Sequence, residues 1–346
     1  MQMKRILEKL REGKSSKNQL SLYSFLAGVL LALIFFQLGR KETVRSPPKM
    51  YFLSFGQPLT RESCFSIGSA LSNEIIPVIY TGKMFDTKGD LRHSAQEMDG
   101  IKRKKPSIFK SMIDRPFTRE EDLLVMGDLY DVLFLQDRRI LAEKFSRFEA
   151  QGKRVMFSGE MNYHPFYERY HCPPYTIDSV KEMYNEVFGS SRPTRVINSG
   201  VIFGRKKYMR EFINAWNFNI ALWPNNHGNC WDDQGQSSLI MLENSNWISF
   251  DMYNELTLHT IEVNYESLIF KKLRETFSVF DKRTNSYPGV IHFNGDDWQD
   301  SRRPKLKNII RDFYYDFPHK KLEPLYFFLD DQYVTFKNAC GSFDFK

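Results

Sequence analysis

Four stretches of this chain combine residue types that can do chemistry. Asp128-Leu129-Tyr130-Asp131 sets two carboxylates around an aromatic ring. Two carboxylates offset much of the charge on a divalent cation, and phosphate oxygens from a substrate would complete such a site for Mn²⁺ or Mg²⁺. Tyr130 can stack on a nucleobase. Asn198-Ser199-Gly200 breaks the apolar segment 196–203. Gly200 would let a ligand approach the backbone there, and Asn198 can hydrogen-bond a sugar hydroxyl. Trp231-Asp232-Asp233-Gln234 adds two acids that can accept from a sugar or act as a general base. His292-Phe293-Asn294-Gly295-Asp296 supplies an imidazole, which would make a third metal ligand. Each stretch also has a plain reading: solvated acids in a turn, a bulge, helix-capping acids, a structural histidine. On spacing alone the plain readings carry at least as much weight.

The order of elements around these stretches is more informative. Apolar runs at 50–56, 76–82, 123–128 and 154–158 suit buried strands, with shorter ones at 247–250 and 290–293. Helical spacing is expected over 60–72, 108–113, 206–222 and 232–243, and Thr118-x-x-Glu121 resembles a capping box. Residues 83–105 are polar, and Lys102-Arg103-Lys104-Lys105 suits a solvated loop. A polar and aromatic tail runs from about 304. Apolar strands alternating with helices predict an α/β fold, a mostly parallel sheet covered on both faces. Such sheets bind ligands at the carboxyl ends of their strands, where Asp128 and His292 fall. No Gly-x-Gly-x-x-Gly, P-loop or Gly-x-Ser-x-Gly motif is present. Glu168-x-x-His171 has no partner pair and runs into Pro173-Pro174.

The chain has 346 residues and a net charge of +7. Residues 1–40 hold seven basic and two acidic side chains, so +5 of that charge sits there and +2 is left for the rest. That balance argues against a nucleic-acid partner. Residues 18–39 carry no charge and, as a helix, would span roughly 33 Å, enough to cross a bilayer. Six basic residues precede this run, and no Ala-x-Ala cleavage site follows it. The expected layout is a cytosolic tail (1–17), a transmembrane anchor (18–39), a stem (40–49), a lumenal domain (50–320) and a C-terminal extension (321–346), in the Golgi or endoplasmic reticulum membrane. Cys64, Cys172, Cys230 and Cys340 form no Cys-x-x-Cys pair; two disulfides in any of three connectivities, or buried thiols, remain open. There is no Asn-x-Ser/Thr sequon.

Taken in order, Val125-Met-Gly-Asp-Leu-Tyr-Asp-Val132, Val155-Met-Phe-Ser-Gly-Glu160, Asn198-Ser-Gly200, Asp232-Asp-Gln234 and His292-Phe-Asn-Gly295 resemble the glycosyltransferase domain of the procollagen lysyl hydroxylase/glycosyltransferase proteins. The resemblance runs from about Met50 to Gly295 and implies a Rossmann-like GT-A fold that uses a UDP-sugar and Mn²⁺ (or Mg²⁺). It implies metal ligation by Asp128, Asp131 and His292, uracil stacking by Tyr130, and a sugar-facing side at Asn198, Asp232 and Asp233. Where the family usually carries an aromatic Cys-Trp-Pro, this chain reads Asn162-Tyr163-His164-Pro165. The activity implied is transfer of a sugar, a hexose in the first instance, to a hydroxyl on a protein or glycan acceptor. The cation would stabilise the departing UDP, and Asp232 or Asp233 would be the base if the reaction inverts. The alternative is an anchored module that binds sugar nucleotides without turnover.

Overall fold

Residues 50–55 read Met-Tyr-Phe-Leu-Ser-Phe, and their side chains alternate between two cores. Met50 and Phe52 join one apolar cluster, Tyr51 and Leu53 the other. A strand that is apolar on both sides must be covered on both sides, and this one is the middle of the sheet. The computed structural model describes residues 47–56, 59–81, 95–163, 166, 175–222, 233–261, 263–273, 276–293 and 319–343. By its internal contacts the chain separates into Met1–Pro47 and Pro48–Lys346, and the second unit holds every element named below. Among the described residues no helix is long and apolar enough to cross a membrane; the expected anchor, 18–39, lies outside them.

In chain order the elements are β1 (Met50–Phe55), α1 (Arg61–Ser72), β2 (Ile76–Tyr80), α2 (Ala95–Ile113), β3 (Leu123–Gly127), β4 (Val132–Phe134), α3 (Arg138–Ala150), β5 (Val155–Glu160), α4 (Ile177–Phe188), β6 (Val196–Arg205), α5 (Lys206–Leu222), α6 (Asp233–Glu243), β7 (Ile248–Phe250), β8 (Thr257–His259), β9 (Leu268–Leu273), β10 (Thr276–Asp281), β11 (Val290–His292), α7 (His319–Leu322), β12 (Tyr326–Leu329), β13 (Gln332–Thr335) and α8 (Phe336–Cys340). The main sheet has the order β13-β12-β2-β1-β3-β6-β5-β7. Only β6 and β13 run against the other six strands. This is the largely parallel, Rossmann-like α/β sheet that the strand and helix alternation predicts. Helices α2, α4, α5 and α6 cover one face through Phe109, Tyr184, Phe212 and Ile240. Helices α1 and α3 cover the other through Phe65 and Phe145, together with a small sheet of order β4-β11-β8.

Local chemistry fixes where the helices start. Thr60 and Ser63 form a reciprocal capping box ahead of α1, and Thr176 and Ser179 do the same for α4. The expected box at Thr118 starts no helix. Asp122 instead accepts from the backbone N–H groups of Arg119 (2.7 Å) and Lys49 (2.8 Å), which holds 114–122 as turns. Three further expectations change. The polar region 83–105 is helical from Ala95. The segment around Asn198 does not break: β6 is one ten-residue strand whose pairing with β5 jumps between Phe157 and Ser158, so a bulge takes up the polar tripeptide. The polar tail adds β12 and β13 to the main sheet beside β2. Cys340 of α8 forms a disulfide with Cys64 of α1, which ties that tail to the core. Cys172 and Cys230 lie outside the described residues.

Candidate metal centre

Strand β3 ends at Gly127, and residues 128–131 link it to β4. The Asp128 N–H donates to the Gly200 carbonyl (2.9 Å), which pins the start of this link against β6. Strand β4 pairs antiparallel with β11 so that Val132 faces His292, and the Phe293 N–H donates to the Asp131 carbonyl (2.8 Å). Backbone pairing thus sets His292 beside two acids from far earlier in the chain. His292 Nε2 lies 3.3 Å from Asp131 Oδ2 and 3.6 Å from Asp128 Oδ2. One ligand atom from each of the three residues falls within 4.8 Å of the others. The imidazole is buried, with 1% of its side chain exposed, whereas Asp131 is 19% and Asp128 42% exposed, so the group opens to solvent through Asp128.

Among the described residues, His292 Nε2 and Asp131 Oδ1 are buried without a hydrogen-bond partner, and Nε2 has only its ion-pair contacts with the two carboxylates. Such an atom costs about 1–3 kcal/mol, and a cation between the three side chains would satisfy both. Burial favours the neutral form of His292, but the Asp131 and then the Asp128 carboxylate outweigh it and raise the pKa above the ordinary histidine value. The donor set, two carboxylates and an imidazole, suits Mn²⁺ or Mg²⁺ with water or phosphate completing the shell. The residues present therefore fit the metal.

Lys105 is the residue that sequence reasoning missed. The run 102–105 is part of α2, and the Lys105 side chain is buried at the centre. Its three ammonium protons have three acceptors: Asp128 Oδ1 (2.9 Å), Asp233 Oδ2 (2.9 Å) and the Ser199 carbonyl (3.1 Å). Burial opposes its charge, but Asp128 and Asp233 prevail and hold the pKa above that of a free lysine. Asp128, Asp131 and Asp233 together set three negative charges against one ammonium, so with His292 neutral, as a metal ligand must be, two are left for a divalent cation to offset.

Asp233 opens α6, as its favoured first-turn position predicts. Its Oδ2 accepts from Lys105 and from the Ser199 hydroxyl (2.9 Å), so the side chain is engaged within the protein. Asn198 is engaged too. Its Nδ2 donates to Glu160 Oε2 (3.0 Å) and its Oδ1 accepts from the Gly200 N–H (2.6 Å), so the amide is held by partners within the fold. Gln234 donates to the other Glu160 oxygen. Asp232, Asn294 and Asp296 lie outside the described residues.

Gly200 has a role that its sequence context did not suggest. A Cβ there would collide with His292 Cε1 and crowd Asn198 Oδ1. The missing side chain makes room for the imidazole. Gly200→Ala is therefore expected to displace the ring and lower metal-dependent activity by about 10²-fold, the scale of a displacement near 1 Å; a variant within threefold of wild type would contradict this seating. Tyr130 packs in the same way over Gly56 at the end of β1, where a Cβ would strike its hydroxyl. Burial pushes the Tyr130 hydroxyl up to about 12, so it stays protonated at neutral pH.

A Rossmann-like α/β domain with a carboxylate and imidazole group at the carboxyl edge of its sheet has the build of a glycosyltransferase-type domain. The family model described as the PLOD GT domain matches residues 87–314, about two thirds of the chain and all of it from α2 to β11. The chain belongs to that family. No curated protein matches it.

Proposed function

We propose that this chain is a metal-dependent glycosyltransferase that moves a hexose from a UDP-sugar to a hydroxyl on a protein or glycan. The observation that carries this reading is the group of Asp128, Asp131 and His292 at the carboxyl edge of the sheet, in which His292 Nε2 and Asp131 Oδ1 are buried without a hydrogen-bond partner among the described residues. Asp128, Asp131 and His292 would hold the cation. When bound, it supplies Lewis-acid charge at the diphosphate, where negative charge grows as UDP departs. Lys105 keeps Asp128 oriented through its 2.9 Å contact. The Tyr130 ring, seated against Gly56, would stack on uracil. Asp233 is committed to Lys105 and Ser199, so Asp232 is the acid left for a base if the reaction inverts.

The domain would act in the lumen of the Golgi or endoplasmic reticulum, anchored through 18–39. A disulfide between Cys64 and Cys340 supports an oxidising compartment, because cytosolic thiols stay reduced. The test is UDP release by the full chain in detergent, across a panel of UDP-sugars, with Mn²⁺ and with EDTA. Release that needs the metal and favours one donor is expected. Absence of metal-dependent release from every donor would overturn the reading.

A further inference from the structure

His292 presents only one face to the acids, and its other nitrogen meets a second buried histidine. Strands β8 and β11 pair in parallel with His259 directly opposite His292. The two rings meet edge to face with centroids 4.4 Å apart. His292 Nδ1 and His259 Nε2 are 3.1 Å apart, and the same Nε2 lies 2.9 Å from Ser158 Oγ. Both rings are buried.

A neutral imidazole carries its proton on one nitrogen and a lone pair on the other. For His292 to offer Nε2 to a cation, its proton must sit on Nδ1, and a buried Nδ1–H needs an acceptor. His259 Nε2 is at that distance. For His259 Nε2 to accept, its own proton must lie on Nδ1, which has no hydrogen-bond partner among the described residues, so no hydrogen bond there opposes that tautomer. The Ser158 hydroxyl, which can donate to the Asn198 carbonyl (3.0 Å), must then turn its proton toward His259 Nε2, because two lone pairs would otherwise meet at 2.9 Å.

We propose that His259 is the positioning residue of the centre: its Nε2 accepts the Nδ1 proton of His292, which turns the His292 Nε2 lone pair toward the two carboxylates. This inference rests on the reading of Asp128, Asp131 and His292 as metal ligands. Gly200 and His259 then have complementary parts. Gly200 leaves room for the ring, and His259 sets which nitrogen faces the cation.

Direct Mn²⁺ binding to the full chain, followed by loss of the free-ion electron paramagnetic resonance signal, tests this without turnover. His259→Phe keeps a ring for the edge-to-face contact and removes the acceptor. It is expected to weaken Mn²⁺ binding by about 10–100-fold, the usual cost of losing a ligand's outer hydrogen-bond partner. His259→Gln places an amide oxygen near the lost nitrogen and is expected to restore most of the affinity. In UDP-release assays the Phe variant should need more Mn²⁺ while keeping kcat at saturating metal within a few-fold. Unchanged binding in His259→Phe would overturn the inference, and so would a Gln variant as weak as Phe, which would make the role one of packing alone. Tighter binding in His259→Phe would overturn it in the opposite sense, with His259 donating to Nδ1 and holding the wrong tautomer. If the Phe variant does not fold, His259→Asn, polar but too short to reach Nδ1, takes its place in the comparison with Gln. A wild-type chain that binds no Mn²⁺ would instead remove the metal reading itself.

Discussion

Asp131→Asn is expected to lower kcat/KM by about 10³-fold or more while leaving the protein nearly as stable as wild type. The substitution preserves the shape of the side chain and the backbone bond from the Phe293 N–H to the Asp131 carbonyl, so the pairing of β4 with β11 survives. What it removes is one of two carboxylate charges that share a site with a buried imidazole. The catalytic loss follows from weaker cation binding and less charge at the diphosphate, where a thousandfold corresponds to about 4 kcal/mol of transition-state stabilisation. Stability changes little, because relief of the repulsion between Asp128 and Asp131 is offset by loss of the carboxylate that does most to favour the charged form of His292, and a group tuned for ligand binding is a poor arrangement for folding. Steady-state kinetics at saturating Mn²⁺ and thermal unfolding in EDTA measure the two halves. A variant that keeps a tenth of wild-type activity would show that Asp131 does not hold the metal. A large drop in melting temperature would show that its charge serves the fold.

The trio at this centre was legible through the ordered motifs of the family resemblance, and topology agreed with them. Asp128 and His292 each lie at the carboxyl end of an apolar run, and an α/β sheet gathers such positions at one edge. Their distances depend on the register of β4 with β11, two strands of three residues that leave little trace in a sequence. His259 was illegible for the same reason, since it belongs to a three-residue strand and to no motif. Lys105 was misread because it sits in a run of four basic residues. Helical phase would have found it: Lys105, Ile108, Phe109, Met112 and Ile113 all lie on the buried face of α2, spaced three and four apart. A lysine on the apolar stripe of a helix must be paired, and the run of charge hid that stripe. Asn198 and Gly200 were noticed as a polar tripeptide inside an apolar strand, but their contacts within the protein were not foreseen. Their partners, Glu160 and His292, arrive from other strands and cannot be inferred from local spacing. The tail was read as an appendage although its strands are mostly apolar, because β12 pairs with β2, about 250 residues earlier, and no local spacing reports that pairing.

Lys105→Met tests whether the centre is an electrostatic unit. The methionine has about the length of the lost side chain and the same apolar stem, so packing of α2 through Ile108 and Phe109 is kept. The ammonium goes, and Asp233, with 8% of its side chain exposed, is left with the Ser199 hydroxyl in place of a counter-charge. Removing one partner of a buried ion pair costs about 3–5 kcal/mol, because the remaining charge stays desolvated. Most of that cost falls on Asp233, since Asp128 is 42% exposed and water screens it. Two consequences separate this account from simple loss of packing. Adding Asp233→Asn to Lys105→Met should recover stability, giving a coupling of about 1–3 kcal/mol in a double-mutant cycle. Mn²⁺ should also raise the melting temperature of Lys105→Met more than that of wild type, because a ligand that binds only the folded state stabilises it further as its affinity rises, and the variant centre carries one more uncompensated negative charge. If Lys105→Met melts like wild type and gains nothing extra from Mn²⁺, Lys105 is a replaceable helix residue, and the charge balance assigned to Asp128, Asp131 and Asp233 is wrong.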